Sequence, residues 1–199
     1  MSRYKRTSGD VVRWPDNPDA RAALAAWLAD SSAYLPGDSL DFRGADLSCL
    51  DLPGACLANS QLVGVRFEEA NLGAANLANA EARGADFSAA DLAKADLVGC
   101  VAGAARFRSA RLFAVQLDDA VLNGADLGHA ILNSAPVFVH EGATRSPGGG
   151  DLEVWLSAQG AESVSGGGLT PRRLRAGPRE GRPCRWCSSG ERRIRDSNS

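Results

Sequence analysis

From Phe42 to Leu132 every fifth residue is Leu or Phe, with two exceptions, Ala82 and Ala102. Seventeen of the nineteen positions in this register carry one of the two types, which together supply only 28 of the 199 residues. Within 40–134 only Leu40, Leu50 and Phe113 fall outside it. Such density over so long a stretch is a repeat, and internal repeats settle architecture before any local reading does.

Two residues before each of these positions lies a second column. Thirteen of its nineteen members are Ala, and the others are Leu40, Leu50, Ser60, Val65, Cys100 and Val115. Between the columns Asp or Asn is frequent, at Asp41, Asp46, Asp51, Asn71, Asn76, Asp86, Asp91, Asp96 and Asp126. The unit is therefore Ala-Asp/Asn-Leu-X-X. Five matches neither the helical period of 3.6 nor the strand period of 2. Two inward residues spaced by two make a short extended segment, and the rest of the unit must turn a corner. Gly44, Gly54, Gly64, Gly84, Gly99 and Gly124 all stand second after the Leu or Phe, where a tight turn favours glycine.

This pattern resembles the pentapeptide-repeat family over about half the chain. The resemblance implies an all-β solenoid, a right-handed quadrilateral β-helix with four repeats to a coil. Twenty-residue coils would stack Phe42, Leu62, Ala82, Ala102 and Leu122 on face one, and Leu47, Phe67, Phe87, Phe107 and Leu127 on face two. Leu52, Leu72, Leu92, Leu112 and Leu132 would form face three; Leu57, Leu77, Leu97 and Leu117 would form face four. Ala82 and Ala102 each share a coil with a Phe, so small and large residues offset one another, as close packing requires. Nineteen repeats give nearly five coils, a tower about 23 Å tall.

The tower needs covered ends. Residues 1–38 form an N-terminal segment, in which Asp16-Asn17-Pro18-Asp19 predicts the start of a helix at about 17–30. Ala20, Ala23, Leu24, Trp27 and Leu28 share one face of it, with Trp27 as the plug over the first coil. Residues 39–134 are the β-helix, and Pro136-Val137-Phe138-Val139 is placed over its last coil. The extension 135–199 is rich in Gly, Arg, Ser and Pro, with nine Arg between 172 and 195, and is read as largely disordered from 142 on. Asp151 to Gln159, with Val154, Trp155 and Leu156, is its one amphipathic stretch.

Charge divides along the same lines. Residues 1–38 carry five acids and five bases, 39–134 twelve acids and seven bases, and 135–199 seven acids and ten bases. The start leads into no apolar run of signal-peptide type, no stretch has the length of a membrane span, and the five cysteines do not read as a disulfide framework. A reduced protein of a bacterial cytoplasm is the expectation.

No catalytic, cofactor-binding or metal-binding residue emerges. Cys184-Arg-Trp-Cys187 has redox or zinc spacing without the fold or further ligands that either use needs. His129 is the one His of the repeats, and Glu68-Glu69 and Asp118-Asp119 belong on a convex surface open to water. The triple-Gly runs lack the Lys-Ser/Thr of a phosphate loop. The outward candidate is one column, Asp46, Arg66, Asp86, Arg106 and Asp126, alternating in sign from coil to coil and flanked by Arg108 and Arg111. The reading that follows is a non-enzymatic structural or protein-interaction module with an unidentified protein partner. Nucleic acid would be held only weakly, through the Arg-rich tail. The resemblance also implies an alternative, since the family's quinolone-resistance proteins are acidic rods that resemble DNA and bind DNA gyrase. Arg66, Arg83, Arg106, Arg108 and Arg111 interrupt the acidic surface that this alternative needs.

Overall fold

The computed structural model describes residues 10–30 and 34–131, together with the backbone at 138–140 and 143–145. Throughout 36–131 the chain forms parallel bridges between residues twenty apart: Asp41 with Gln61, Asp46 with Arg66, Asp51 with Asn71, Cys56 with Asn76, and onward to Arg111 with Ile131. Each bridge is a single rung, because the backbone turns before a longer strand can form. Four five-residue segments therefore complete a coil, and the coils stack as a quadrilateral β-helix.

Hydrogen bonding explains why the unit is five residues long. In residues 86–90, Asp86 N–H donates to Val65 O of the coil below (2.9 Å), while Phe87 and Ala89 N–H donate to Arg106 O and Arg108 O of the coil above (2.7 Å each). Ala90 N–H closes the corner onto Phe87 O (3.0 Å). The remaining donor, Ser88 N–H, is taken by Asp86 Oδ1 (3.0 Å). Every N–H of the repeat is thus paired, as backbone donors require. The Asp/Asn column owes its place to this last bond, an Asx turn. The same bond joins Ser48 to Asp46, Gly73 to Asn71, Ala78 to Asn76, Ala93 to Asp91, Val98 to Asp96 and Gly128 to Asp126.

The corners ask more of the chain than their glycines reveal. Every fifth residue from Ser39 to His129 has positive φ, between 53° and 80°, and thirteen of these nineteen residues are not glycine. A Cβ in the left-handed region costs on the order of 1 kcal/mol. The two columns of stacked hydrogen bonds therefore hold these residues against their own preference. At Gly44 and Gly54 the capping segment gives glycine a second reason. A Cβ on Gly44 would strike the Asp16 carboxylate, and one on Gly54 would strike the Tyr34 ring, both from the segment laid over the first coil.

Inside, the Leu/Phe and Ala columns are almost wholly buried. Phe67, Phe87 and Phe107 stack, with ring centroids 5.2 and 5.0 Å apart and planes within 3° and 10° of parallel. Ala82 and Ala102 lie buried beside Phe87 and Phe107, whereas Phe67 shares its coil with Leu62.

Helix α1 (Pro18–Ala29) caps the first coil. Asn17 accepts from Asp19 N–H and Ala20 N–H (2.9 and 3.1 Å), Pro18 occupies the first turn, and Ala20, Leu24 and Trp27 are buried. Ahead of the helix, Arg13 pairs antiparallel with Asp46, accepting its N–H at 2.8 Å, so the edge donor that lacks a lower coil is satisfied. Strands β1 (Phe138–His140) and β2 (Ala143–Arg145) form an antiparallel pair, Phe138 opposite Arg145. Leu132, the end of the repeats at Asn133-Ser134, the Pro136-Val137 start of the stretch placed over the last coil, and the disorder read for 142–199 lie outside the described residues, apart from the backbone of β1 and β2.

Cysteine chemistry departs from the all-thiol expectation. Cys49 and Cys100 are free, but Cys56 is disulfide-bonded.

Candidate functional site

The twenty-residue register brings Asp46, Arg66, Asp86, Arg106 and Asp126 into one column on face two, bridged in that order. Each acid holds the N–H at the second residue after it with Oδ1, which fixes its carboxylate against the tower. The second oxygen is then free to meet an arginine. Arg66 reaches down to Asp46 (3.3 Å) and Arg106 reaches down to Asp86 (3.2 Å). The top acid, Asp126, is met by Arg108 from the neighbouring position (3.0 Å). Arg66 also engages Glu68. The recorded contacts are therefore coil-to-coil pairs with crosswise additions, where the sequence pattern alone implied a uniform chain of alternating contacts.

Acids and bases differ sharply in exposure. The Asp46 and Asp86 side chains are 11% and 9% accessible, whereas Arg66, Arg106, Arg108 and Arg111 remain between 53% and 65% accessible. Pairs with one partner this exposed contribute about 0–1 kcal/mol each. For Asp86, burial works to raise the pKa. The Ser88 hydroxyl and N–H and the Arg106 guanidinium outweigh it, leaving the carboxyl below its ordinary value. Asp41 on face one is also lowered, chiefly by its hydrogen bond from Arg43. The Arg66 guanidinium is held more firmly protonated, first by Glu68 and then by Asp46.

Sequence spacing did not single out a parallel arrangement on face three. Arg111 bonds Asp91 (2.7 Å) and the Asn71 amide bonds Asp51 (2.6 Å), each across one coil. Both follow from the same twenty-residue offset, the signal that would have found them.

The other candidates are scattered. His129 is an exposed corner residue with φ of 59°. Cys100 is buried, and burial pushes its thiol up to about 12, far from a reactive thiolate. Among the described residues no group of three or more His, Cys, Asp or Glu could hold a metal ion, and no helix is long and apolar enough to cross a membrane. Cys184 and Cys187 lie outside the described residues, as does the His140 side chain.

A coil of four five-residue segments, with Leu or Phe and a small residue inward and Asp or Asn closing the turn, defines the class of repeat solenoid. Comparison with known proteins names the family: a model of pentapeptide repeats, eight copies, matches residues 66–101. The chain belongs to the pentapeptide-repeat family, and its fold is the right-handed quadrilateral β-helix. Among solved structures it is similar to a pentapeptide repeat protein of the Arabidopsis thaliana thylakoid lumen, at 26% identity and TM-score 0.39, over 61% of this chain and 77% of that one. A pentapeptide repeat protein of Nostoc PCC 7120 matches at 30% identity and TM-score 0.26, over 65% and 84%. A trypsin-treated form of QnrB1, a plasmid-mediated fluoroquinolone resistance protein, matches at 23% identity and TM-score 0.30, over 52% of this chain and 64% of its own length. No curated protein matches the chain.

Proposed function

We propose that the chain is a non-enzymatic structural or protein-interaction module of a bacterial cytoplasm. Residues 39–134 form nearly five coils between the capping segment 1–38 and the extension 135–199. Face two, through Asp46, Arg66, Asp86, Arg106 and Asp126, is its recognition surface. One observation carries this reading: the acids of that face are locked into turns while the guanidinium groups stay more than half exposed. A partner therefore meets a rigid row of Arg donors whose orientation is set by the coil spacing. Acidic side chains or a chain terminus on a protein would satisfy it.

The alternative, inhibition of gyrase by imitation of DNA, needs free carboxylates in a continuous stripe. On faces two and three Asp46, Asp86, Asp91 and Asp126 each use one oxygen for a turn and the other for an arginine. That arrangement favours the first reading.

Affinity capture with the wild-type chain and with the double variant Arg66→Glu, Arg106→Glu tests it. Loss of the captured protein, with thermal unfolding within a few degrees of wild type, is the expected result. Unchanged capture makes face two a structural device only. A supercoiling assay in which excess chain inhibits gyrase would reinstate the alternative.

A further inference from the structure

Of the asparagines among the described residues, all but one are followed by a nitrogen that is already committed. Asn17 precedes Pro18, which has no N–H. After Asn71 and Asn76, the Leu72 and Leu77 N–H groups donate to Asp91 O and Asp96 O of the coil above (2.8 and 2.7 Å). After Asn59 and Asn79, the Ser60 and Ala80 N–H groups close their corners onto Leu57 O and Leu77 O (3.3 and 3.0 Å).

Asn123 is the exception. Gly124 follows it, in the one Asn-Gly pair of the sequence, and both residues are exposed. At the matching corners below, the N–H groups of Gly64, Gly84 and Ala104 donate upward to Arg83 O, Gly103 O and Asn123 O (3.0, 3.0 and 2.8 Å). Gly124 belongs to the top described coil, and its N–H has no acceptor among the described residues. A Cβ placed on Gly124 would have nothing within 4 Å, so the space beside this nitrogen is open. The side-chain amides of Asn59 and Asn71 are tied to Asp38 and Asp51 (3.3 and 2.6 Å), whereas no described residue bonds that of Asn123.

We propose that Asn123-Gly124 is a self-modification site, a corner that converts without an enzyme into aspartyl and isoaspartyl forms. Asn123 Cγ and the Gly124 nitrogen are placed by the chain itself to close a five-membered ring, so the attack is intramolecular. The nitrogen gives up its proton and bonds to Cγ. The bond from Cγ to the side-chain nitrogen breaks, and that nitrogen leaves as ammonia. The cyclic imide then takes up one water. Opening at one carbonyl gives Asp at 123; opening at the other gives isoaspartate, whose main chain runs through the former side-chain carbon. Nothing is oxidised or reduced, and water is the one co-reactant.

Either product alters the upper end of face one. The outward residues there, Val101, Gly103 and Val121, are uncharged, so the new carboxylate is the first charge above the Glu81–Arg83 pair (2.6 Å). Isoaspartate also adds a carbon to the main chain inside a corner that Ala125 N–H closes onto Leu122 O (3.0 Å). The top coil is thereby loosened, and the coils beneath keep their amides paired.

The folded full-length chain, held in neutral and in mildly alkaline buffer and then digested with trypsin, gives the test by mass spectrometry. Unincubated chain sets the zero, and fragmentation separates Asp from isoaspartate. Trypsin places Asn123 in 112–145, Asn59 in 44–66, and Asn71, Asn76 and Asn79 in 67–83. Asn123 is expected to convert, faster in the alkaline buffer, while 44–66 and 67–83 keep their asparagines. Intact Asn123, or change confined to Asn133 of the same peptide, overturns the proposal. Gly124→Ala is the second arm. Ala74, Ala89, Ala104 and Ala114 hold the same corner with φ of 53–56°, so the variant folds. Its added methyl crowds the nitrogen and slows conversion by on the order of tenfold or more. An equal rate in Gly124→Ala also overturns the proposal, since the Gly124 nitrogen would then take no part.

Discussion

Faces two and four are cut from the same repeat and share one interior, to which face two gives a stack of Phe and face four gives Leu, and they contrast most at the outward positions. On face two Asp46, Asp86 and Asp126 are each met by an arginine of the tower, and arginine edges are left projecting. Face four carries no Lys or Arg at its outward positions, and its small outward residues at 56, 58, 76 and 78 are buried. A fixed backbone thus yields two surfaces with opposite needs, and the choice rests on a few residues that the fold itself does not demand. The repeat decides where a side chain points; the outward column decides what it meets.

The comparison breaks first if the shared interior gives way. Phe87→Ala removes the central ring of the stack under face two and leaves a cavity, lowering the unfolding free energy by about 3–5 kcal/mol in denaturant titration. Leu97→Ala, under face four, costs about 2–5 kcal/mol by the same measurement. A small loss at either site would mean that the two faces do not share one close-packed core.

Corners come next. Ala89 on face two has φ of 55°, and a β-branched residue there is strained further, so Ala89→Val lowers stability by about 1–3 kcal/mol. Ala89→Gly relieves the strain and raises the melting temperature. On face four, a Cβ on Gly99 would meet the Asn79 side chain, whereas one on Gly84 has nothing within 4 Å. Gly99→Ala is therefore the more damaging of the two in parallel thermal melts.

The turn acceptor separates the faces more finely. Asp86→Ala on face two orphans Ser88 N–H and strips Arg106 of its partner, a loss of about 1–2 kcal/mol. Asp96→Asn on face four keeps the acceptor for Val98 N–H and changes stability by less than about 0.5 kcal/mol. Acid sharpens the same point. Asp41 and Asp86 titrate lower folded than unfolded, so their stabilisation is complete above the unfolded carboxylate value and lost as pH falls through the folded ones. Stability holds at neutral pH and declines below about pH 4, and Asp86→Asn makes that decline shallower. Arg106→Gln has the smallest effect, about 0–1 kcal/mol, and the difference shrinks in high salt.

Much of this could be read before any coordinates. The five-residue spacing of Leu and Phe carries the interior, because only one backbone path turns every fifth side chain inward. The stacked Phe67, Phe87 and Phe107, and the charged column of face two, follow from stepping by twenty. The corners were legible only where glycine marked them, since Ala89, Lys94 and His129 adopt positive φ for reasons held in neighbouring coils. The purpose of the Asp/Asn column was hidden too, because it answers a backbone N–H that appears only once the turn is built. Which oxygen meets which arginine depends on rotamers, which is why Asp126 pairs with Arg108.

The central claim is the twenty-residue coil, and nitroxide labels test it most directly. In a cysteine-free chain, labels at Val101→Cys and Val121→Cys sit on stacked positions of face one, with backbones about 4.8 Å apart. They should show strong dipolar broadening in the frozen state. Labels at Val101→Cys and Arg111→Cys, closer in sequence but on opposite faces, should show none. Broadening in the second pair and its absence in the first would contradict the account.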